Sequence, residues 1–394
     1  GARGMKKRKS LLRSDSFQTL LTSLLCIILG VAIGYVVLLI INPAGAWKSM
    51  SALLKNFFHY PAGKLRMKYF GQTLVRTAPL LMCALSILFA YKVGMFNIGA
   101  AGQYVAGACV GLYAAIAWQL PWYLCLLLAI AAGAFLGAIS GALRTYCNVN
   151  VVISGIMLNW IALYLTNLIL TTVKHPNSPY TKSLTAANPS ALIPSLGLSK
   201  LFAGEKTVTI ANPLAILMAV LVWVILNKTK FGYELKACGA NRHAARYAGI
   251  NDKRNIVLSM AIAGGLSGAA AALYYLSGNT EFFWSTYQSL PAIGFNGIPV
   301  ALLAANNPIA VIFTGCFMSM LDIVGLQLTN LTAYNEYITD VIIATIVYLS
   351  AFSLLIRMLL DGRKKRKKAI AAQAGGTDTG AGPSSGAQEG GEQA

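Results

Sequence analysis

Long apolar segments recur along most of this chain, and they constrain its fold more than any other feature. A helix needs about 20 apolar residues to cross the hydrocarbon layer of a membrane. By this criterion the candidate spans are Phe17–Ile41, Thr73–Tyr91, Ala100–Trp118, Trp122–Leu143, Val151–Val173, Asn212–Leu226, Ile256–Leu276, Pro291–Ala305, Ile309–Leu328 and Ile338–Leu360. The eighth is short and rich in Gly and Pro, so it is either a full span or a broken, re-entrant helix. The sequence predicts an all-α fold, a polytopic transmembrane helix bundle with about ten spans.

Composition supports a membrane protein. Hydrophobic residues make up 56% of the 394 residues and charged residues only 11%, against about 25% charged in soluble domains. A net charge of +20 would suggest nucleic acid in a soluble chain, but here the basic residues sit mainly in loops and tails. We therefore expect contact with membrane lipid and no nucleic-acid partner. The seven cysteines include no CxxC pair, so no metal site is indicated.

The distribution of basic residues predicts the orientation of the chain. An even number of spans puts both termini on one side, and placing them in the cytoplasm puts 22 of the 32 Lys and Arg residues inside and 10 outside, as the positive-inside rule favours. The expected parts are a basic cytoplasmic tail (1–16), a transmembrane domain (17–361) and a C-terminal tail (362–394), first basic and then disordered. The longest outer loop, residues 174–211, is suited to meet an external receptor protein.

A polar stretch, residues 228–255, interrupts the apolar segments and must face water. Its residues 239–249, here called the docking segment, form a turn, a short alanine-rich run and a glycine stop. Small residues on one face of a two-turn helix allow close approach to a partner, and arginines four apart lie on one side. We predict that this segment docks on a cytoplasmic partner through Gly239, Ala240, Asn241, Arg242, Ala244, Ala245, Arg246 and Gly249.

Motifs for catalysis are missing or better explained by packing. No GxxxxGK[ST] phosphate-binding loop occurs, so the chain needs a separate ATPase if ATP drives it, and we expect no catalytic residue and no cofactor of its own. Gly265–Gly268 matches the GxSG motif of intramembrane serine proteases, but the three histidines lie in loops, which favours helix packing. Asp322 lies within a span. It is a candidate for substrate contact or gating, or it faces a helix contact or a water pocket.

Two interrupted segments each place Phe-Asn beside glycine. Phe96-Asn97 follows the second span, and Phe295-Asn296 lies in the eighth. An aromatic face beside an amide suits a nucleobase or a sugar, because rings stack and amides bind polar edges. Broken helices also mark the translocation paths of transporters. The alternative is that each Asn caps a helix after a Gly turn.

Five motifs in register resemble one family. They are TAPLLMCAL (77–85), GMFNIGAAGQ (94–103), VVISGIMLNWIALYL (151–165), GYELKACGANRHAARYAGI (232–250) and GFNGIPVALLAANNP (294–308). Over roughly residues 15–360 the chain is similar to the membrane (permease) subunit of bacterial ABC importers for nucleosides and simple sugars, in the branched-chain amino acid/ribose-type permease family. One departure is Ala101, where relatives often have Glu, so any role of that acid does not transfer.

The resemblance implies partners and a substrate path. The chain would sit in the bacterial plasma membrane with a second permease subunit, identical or paralogous. Cytoplasmic ATP-binding subunits would contact the docking segment, and an extracytoplasmic substrate-binding lipoprotein would deliver the solute. The residues expected to line the path are Phe96, Asn97, Asn159, Trp160, Phe295 and Asn296.

Two other classes remain open at this point. An ion-coupled secondary transporter of a small polar solute would need more intramembrane charge than the sequence shows, and it would leave the docking segment without a purpose. A membrane scaffold without transport would leave the interrupted spans unexplained.

Overall fold

A computed structural model describes residues 15–278, 280–282, 289–331, 334 and 337–351. Contacts divide the chain into a compact unit, Ser23–Ala351, and a second unit made of residues 1–22 and 352–394. Of the second unit, only residues 15–22 are described, as the beginning of the first helix. The predicted tails, 1–16 and 362–394, therefore lie almost wholly outside the described residues. All features below belong to Ser23–Ala351.

The described residues form an α-helical fold. In chain order the main helices are α1 (Asp15–Ile41), α2 (Pro43–Lys55), α3 (Gly63–Tyr91), α4 (Ala100–Ile116), α5 (Trp122–Tyr146), α6 (Val151–Leu170), α7 (Ala211–Lys228), α8 (Lys230–Ala240), α9 (Arg242–Tyr247), α10 (Asp252–Tyr275), α11 (Ala292–Leu303), α12 (Ala310–Leu331) and α13 (Tyr337–Ala351). Short single turns occur at Asn56–His59, Thr171–Val173, Leu184–Ala187, Pro189–Ala191 and Leu198–Leu201. Among the described residues six helices, namely α1, α3, α5, α6, α7 and α10, are long and apolar enough to cross a membrane.

Two helices, α3 and α10, form the centre of the unit. Most of their side chains are buried, whereas α1, α5, α6 and α7 keep large exposed apolar faces. A bundle surrounded by lipid exposes Leu, Ile and Phe side chains on its outer helices, because these side chains contact apolar lipid tails. The helices also satisfy their own backbone polar groups, as the lipid interior requires. The expectation of a transmembrane helix bundle is confirmed at this level.

Small residues bring α5 and α10 into backbone contact. A Cβ atom added at Gly133 or Gly137 of α5, or at Gly264 or Gly268 of α10, would lie within 3.0 Å of the facing backbone. Such close approach at small residues is the small-xxx-small packing of membrane helices. Ser267, within the GxSG motif, is fully buried and donates a hydrogen bond of 2.6 Å to the Ala100 carbonyl at the beginning of α4. The packing interpretation of that motif is confirmed.

The outer loop predicted between the first two spans contains more helix than expected. Residues 43–55 form α2, and α3 begins at Gly63 rather than at Thr73. The first turns of α3 contain Lys64, Arg66 and Lys68, which are exposed. Lys and Arg are good helix formers, but a search for apolar runs omits them. Arg76 therefore lies well inside a helix.

The predicted eighth span is a short helix. α11 has 12 residues and extends for about 18 Å at 1.5 Å per residue, less than the roughly 30 Å of a bilayer core. The outer loop predicted at 174–211 is folded against the bundle, since the Asn188 amide donates to the Ala115 and Leu120 carbonyls at 2.9 and 3.0 Å. It covers the end of α4.

Candidate functional site

A cavity of about 700 Å³ opens where α3, α4, α10, α11, α12 and α13 converge. Its volume falls within the range of small-molecule sites, about 300–1,000 Å³. Most of the lining is apolar, with a few polar and charged groups. The lining residues are Arg76, Leu80, Tyr104, Tyr274, Tyr275, Pro291, Ala292, Ile293, Asn296, Pro299, Met318, Ser319, Asp322, Asp340, Ile343 and Ala344.

An ion pair crosses one wall of the cavity. The Arg76 guanidinium of α3 donates to the Asp322 carboxylate of α12. Their side chains remain 38% and 42% exposed. Asp340 of α13 adds a second carboxylate to the lining, so among the described residues one cation and two acids face this space. Asp322 thus contacts a second helix and faces the cavity, as the alternative of a helix contact or a water pocket describes, and its part in substrate contact or gating stays a prediction.

Polar groups with little exposure complete the lining. Ser319 is 1% exposed, and within the described part of the chain its hydroxyl has no hydrogen-bond partner. Ser319 and Asp322 are three residues apart on α12 and therefore lie on one face of that helix. Tyr104 is fully buried with the Tyr275 hydroxyl as its neighbour. The cavity offers hydrogen-bonding groups on an otherwise apolar wall.

The predicted path residues fall into different places. Asn296 lines the cavity and is exposed. Asn97 is buried and exchanges hydrogen bonds with Gln103 at 2.8 and 3.2 Å. Asn159 is buried as well; it accepts from the Gly102 amide at 2.7 Å and donates to the Ile98 carbonyl at 3.1 Å. These two amides hold the segment between α3 and α4 in place.

The aromatic path residues lie outside the cavity lining described above. Phe96 and Trp160 are 36% and 39% exposed, and Phe295 is half-buried. Ala101, the departure from the family pattern, is fully buried. Gly294 of α11 packs so closely against it that a Cβ added at Gly294 would overlap Ala101. The path assignment of Phe96, Trp160 and Phe295 stays a prediction.

The docking segment is a helical corner. Gly239 and Ala240 end α8, and Asn241 is extended and caps α9 by accepting from the Ala244 amide at 3.0 Å. Gly249 follows α9 with φ of +77°, a conformation that glycine adopts without strain. The predicted short helix and glycine stop are present. The predicted turn is shorter than expected, because Gly239 and Ala240 belong to α8 and only Asn241 separates the two helices.

Charged groups fix this corner to α10. Arg246 donates two hydrogen bonds to the Asp252 carboxylate, at 2.7 and 2.8 Å, and Arg242 lies 3.9 Å from it. The hydrogen bond to Asp252 raises the pKa of Arg246, so the pair stays ionised. The amide of Asn255 also donates to Glu234 of α8 at 3.1 Å. Both arginines lie on one side of α9, as predicted, but they bind α10 of the same chain.

The two adjacent alanines of α9 face in different directions. Ala244 is exposed, whereas Ala245 is 4% exposed and belongs to the core of this chain. The expectation that both alanines face a partner therefore has to be corrected for Ala245, because a helix places successive side chains about 100° apart. Tyr247 is 94% exposed. It is a large aromatic side chain at the tip of the segment, and the sequence analysis did not single it out.

The docking segment contacts the same helices that line the cavity. A Cβ at Gly239 would lie within 3.0 Å of the Lys92 carbonyl, directly after α3. Asp252 begins α10, and Tyr274 near its other end lines the cavity. At 1.5 Å per residue these two positions are about 33 Å apart. The cavity and the docking segment thus lie at opposite ends of α10.

Some of these site residues were accessible to sequence reasoning. Arg76 and Asp322 have opposite charge within helices, and such residues usually pair. An assignment of α3 from Gly63 would have placed Arg76 well inside a helix and made the two residues candidates for an ion pair. Ser319, Tyr104 and Tyr274 carry no sequence signal, since buried Ser and Tyr are common in helices. Within the described ranges, no cluster of three or more His, Cys, Asp or Glu side chains is arranged to hold a metal ion.

Comparisons with known proteins agree with this architecture. Residues 69–351 match the family described as branched-chain amino acid transport system / permease component. The chain is 33% identical over 351 residues to the guanosine ABC transporter permease protein NupP of Bacillus subtilis, a match that covers 88% of this chain and 97% of the relative. It is 32% identical over 371 residues to the nucleoside ABC transporter permease protein NupB of Lactococcus lactis, covering 91% and 98%. A second B. subtilis protein, the guanosine ABC transporter permease protein NupQ, is 30% identical over 271 residues, covering 64% and 81%.

The family match, residues 69–351, covers the cavity, the docking segment and the helices that join them. The family consists of transporters rather than enzymes. The chain therefore belongs to the branched-chain amino acid transport system / permease component family, as an ABC importer permease subunit that passes several times through the bacterial plasma membrane.

Proposed function

We propose that this chain forms the translocation path for nucleosides in an importer driven by separate ATP-binding subunits. The observation that carries the proposal is the docking segment, which is fixed to α10 and abuts the end of α3 while both helices reach the cavity. Two relatives named as guanosine or nucleoside permeases match along nearly their whole length, which supports the substrate class. The whole sequence has no GxxxxGK[ST] loop, which supports ATP binding by a partner.

The exposed side of the docking segment is the proposed ATPase contact. His243, Ala244, Tyr247 and Ala248 are exposed there. Arg242 and Arg246 act differently, since they hold the corner to Asp252. Closure of the ATP-binding subunits would displace the segment as a unit, and α3 and α10 would transmit the displacement to the cavity.

The orientation follows from this arrangement. The docking segment faces the cytoplasm, so the cavity, at the other end of α10, opens toward the outer side. The shorter helices α4, α11, α12 and α13 would join the six long ones as membrane segments. Since α11 is too short to cross alone, it would cross together with its flanking residues, and ten crossings would place both termini in the cytoplasm. This orientation puts the loop at 174–211 outside, where a substrate-binding lipoprotein would deliver the nucleoside.

A second permease subunit completes the path. Phe96 and Trp160 are exposed on the surface of this chain, so they would line a path only where another subunit faces them. Both NupP and NupQ of B. subtilis match, which favours a related chain rather than an identical copy as the partner. Asn296 already faces the cavity within this chain.

Uptake measurements test the proposal. Bacteria lacking nucleoside uptake would express the permease pair, the ATP-binding subunit and the lipoprotein, and would be given radiolabelled guanosine, uridine or ribose. We expect uptake of the nucleosides that depends on this chain. Uptake of ribose without any nucleoside would contradict the substrate class, and unchanged nucleoside uptake without this chain would contradict the role.

A further inference from the structure

The Arg76–Asp322 pair is an unusual way to join two helices in a membrane protein. Removing two charges from water is costly, and a well-packed apolar pair of similar size often holds helices as well or better. Intramembrane charges therefore usually serve a function. Here the pair lies on the cavity wall with 38% and 42% of the side chains exposed, so helix packing alone does not account for it.

Both partners retain hydrogen-bonding capacity toward the cavity. A guanidinium has five N–H donors, and a carboxylate has two oxygens that accept several hydrogen bonds. The contact between Arg76 Nη1 and Asp322 Oδ2 uses one donor and one acceptor. What remains is a donor group beside an acceptor group, held in a fixed relation by two helices.

Ser319 provides an independent observation at the same wall. Its hydroxyl is buried, lines the cavity and has no partner among the described residues. A buried polar group without a hydrogen bond destabilises a protein, and such groups usually have one. Ser319 is three residues from Asp322 on one face of α12, so a single bound molecule can reach both.

This arrangement fits one edge of a planar heterocycle. The base presents an N–H, which a carboxylate oxygen accepts, beside a carbonyl or ring nitrogen, to which a guanidinium donates. The Tyr274 ring in the same lining offers an apolar face. A free sugar has no such edge. A phosphate group would meet the carboxylates of Asp322 and Asp340, which disfavours phosphorylated nucleosides.

We propose that Arg76 and Asp322, together with the Ser319 hydroxyl, bind the donor–acceptor edge of the nucleobase and make transport depend on the base. This assignment rests on the proposed nucleoside import. It adds a base-recognition site within the permease, and it makes Arg76 and Asp322 substrate-binding residues as well as a link between α3 and α12.

Methylated nucleosides and one serine substitution test the assignment. Uptake of guanosine and uridine is compared with that of 1-methylguanosine and 3-methyluridine, in which a methyl group replaces the N–H of the base edge. With the same lipoprotein throughout, we expect the wild type to prefer the parent by about tenfold or more, as loss of a hydrogen bond to a charged group implies. Ser319→Ala should slow parent uptake several-fold while the melting temperature of the purified chain is unchanged or raised, because the hydroxyl has no partner to lose.

Two comparisons separate recognition from support of the fold. Ser267→Ala removes a buried hydroxyl that is bonded to the Ala100 carbonyl, so it should lower the melting temperature. Asp322→Asn should lower the preference for the parent nucleoside at least threefold. The double variant Arg76→Asp with Asp322→Arg keeps an ion pair with its order reversed, so we expect it to restore the melting temperature without restoring uptake.

Three results would overturn the proposal. Recovery of both stability and parent uptake in the double variant would show that the pair only supports the helices. Equal uptake of parent and methylated nucleosides by the wild type, or a Ser319→Ala variant with wild-type uptake, would remove base recognition from this wall. If the wild type imported ribose and no nucleoside, both base recognition and the proposed nucleoside import would be refuted. The first three results would refute base recognition alone.

Discussion

Tyr247 is a large aromatic side chain that is almost fully exposed on the docking segment, and we predict that its truncation uncouples the permease from its ATPase. The side chain is 94% exposed, so Tyr247→Ala removes almost no contact within the chain. Surface substitutions of this kind change the free energy of unfolding by less than about 0.5 kcal/mol. Any larger effect on the complex must come from the partner.

The size of the effect follows from the exposed surface. An aromatic side chain buries about 150–250 Å² when it is fully covered. If the ATPase covers half of it, about 25 cal/mol per Å² gives about 2–3 kcal/mol, which is the range of interface hot spots. A loss of about 2 kcal/mol weakens association about 30-fold.

Binding of the purified ATP-binding subunit to the permease pair in lipid nanodiscs measures this loss. Tyr247→Phe keeps the ring and should stay within about threefold of the wild type. Leu201→Ala, a 67% exposed apolar side chain in the loop at 174–211, is the matched control and should leave binding unchanged. If Tyr247→Ala bound the ATPase with wild-type affinity, the exposed side of α9 would not be the contact.

Three further predictions address the docking segment, the interface of α5 with α10, and the cavity. Ala245→Trp should lower the melting temperature, because overpacking a buried site costs about 1–3 kcal/mol. Ala244→Trp, at the exposed neighbour, should keep the fold and weaken ATPase binding. The opposite pattern would place the partner on the other face of α9. Gly137→Leu should abolish the yield of folded protein, since even an added Cβ overlaps the Met260 carbonyl. Gly63→Ala, with no atom within 4 Å of the added group, should leave the yield unchanged. Equal yields of the two variants would refute the close packing. Asn296→Ala should slow nucleoside uptake several-fold at equal expression, and wild-type uptake would take Asn296 out of the path.

The sequence predicted the helices where apolar length decides them. Each of the ten predicted spans contains a helix in the structure, and the short eighth span is the 12-residue α11. The prediction was wrong where helix formation depends on something other than hydrophobicity. α2 and the first turns of α3 contain Lys and Arg and were predicted as loop.

The site was harder to predict because facing direction and pairing are three-dimensional. The docking segment was found from its polarity, yet residue types alone did not show that Ala245 turns inward and Arg246 binds Asp252. Asn97 was predicted as a path residue because it follows Phe96 in an interrupted segment, and Asn159 was added with the family resemblance. In the structure Asn97 bonds to Gln103, and Asn159 bonds to the backbone of residues 98 and 102. Their role in the path remains untested.

The central claim is that ATP hydrolysis by partner subunits drives nucleoside import through this chain. Its most direct test is accumulation of radiolabelled guanosine and uridine in proteoliposomes that hold the permease pair and ATP-binding subunits, with the lipoprotein outside and ATP inside. We predict accumulation that requires ATP, persists when a protonophore removes the proton gradient, and is lost when the phosphate-binding lysine of the ATPase is replaced. Accumulation driven by an imposed proton or sodium gradient without ATP would contradict the account.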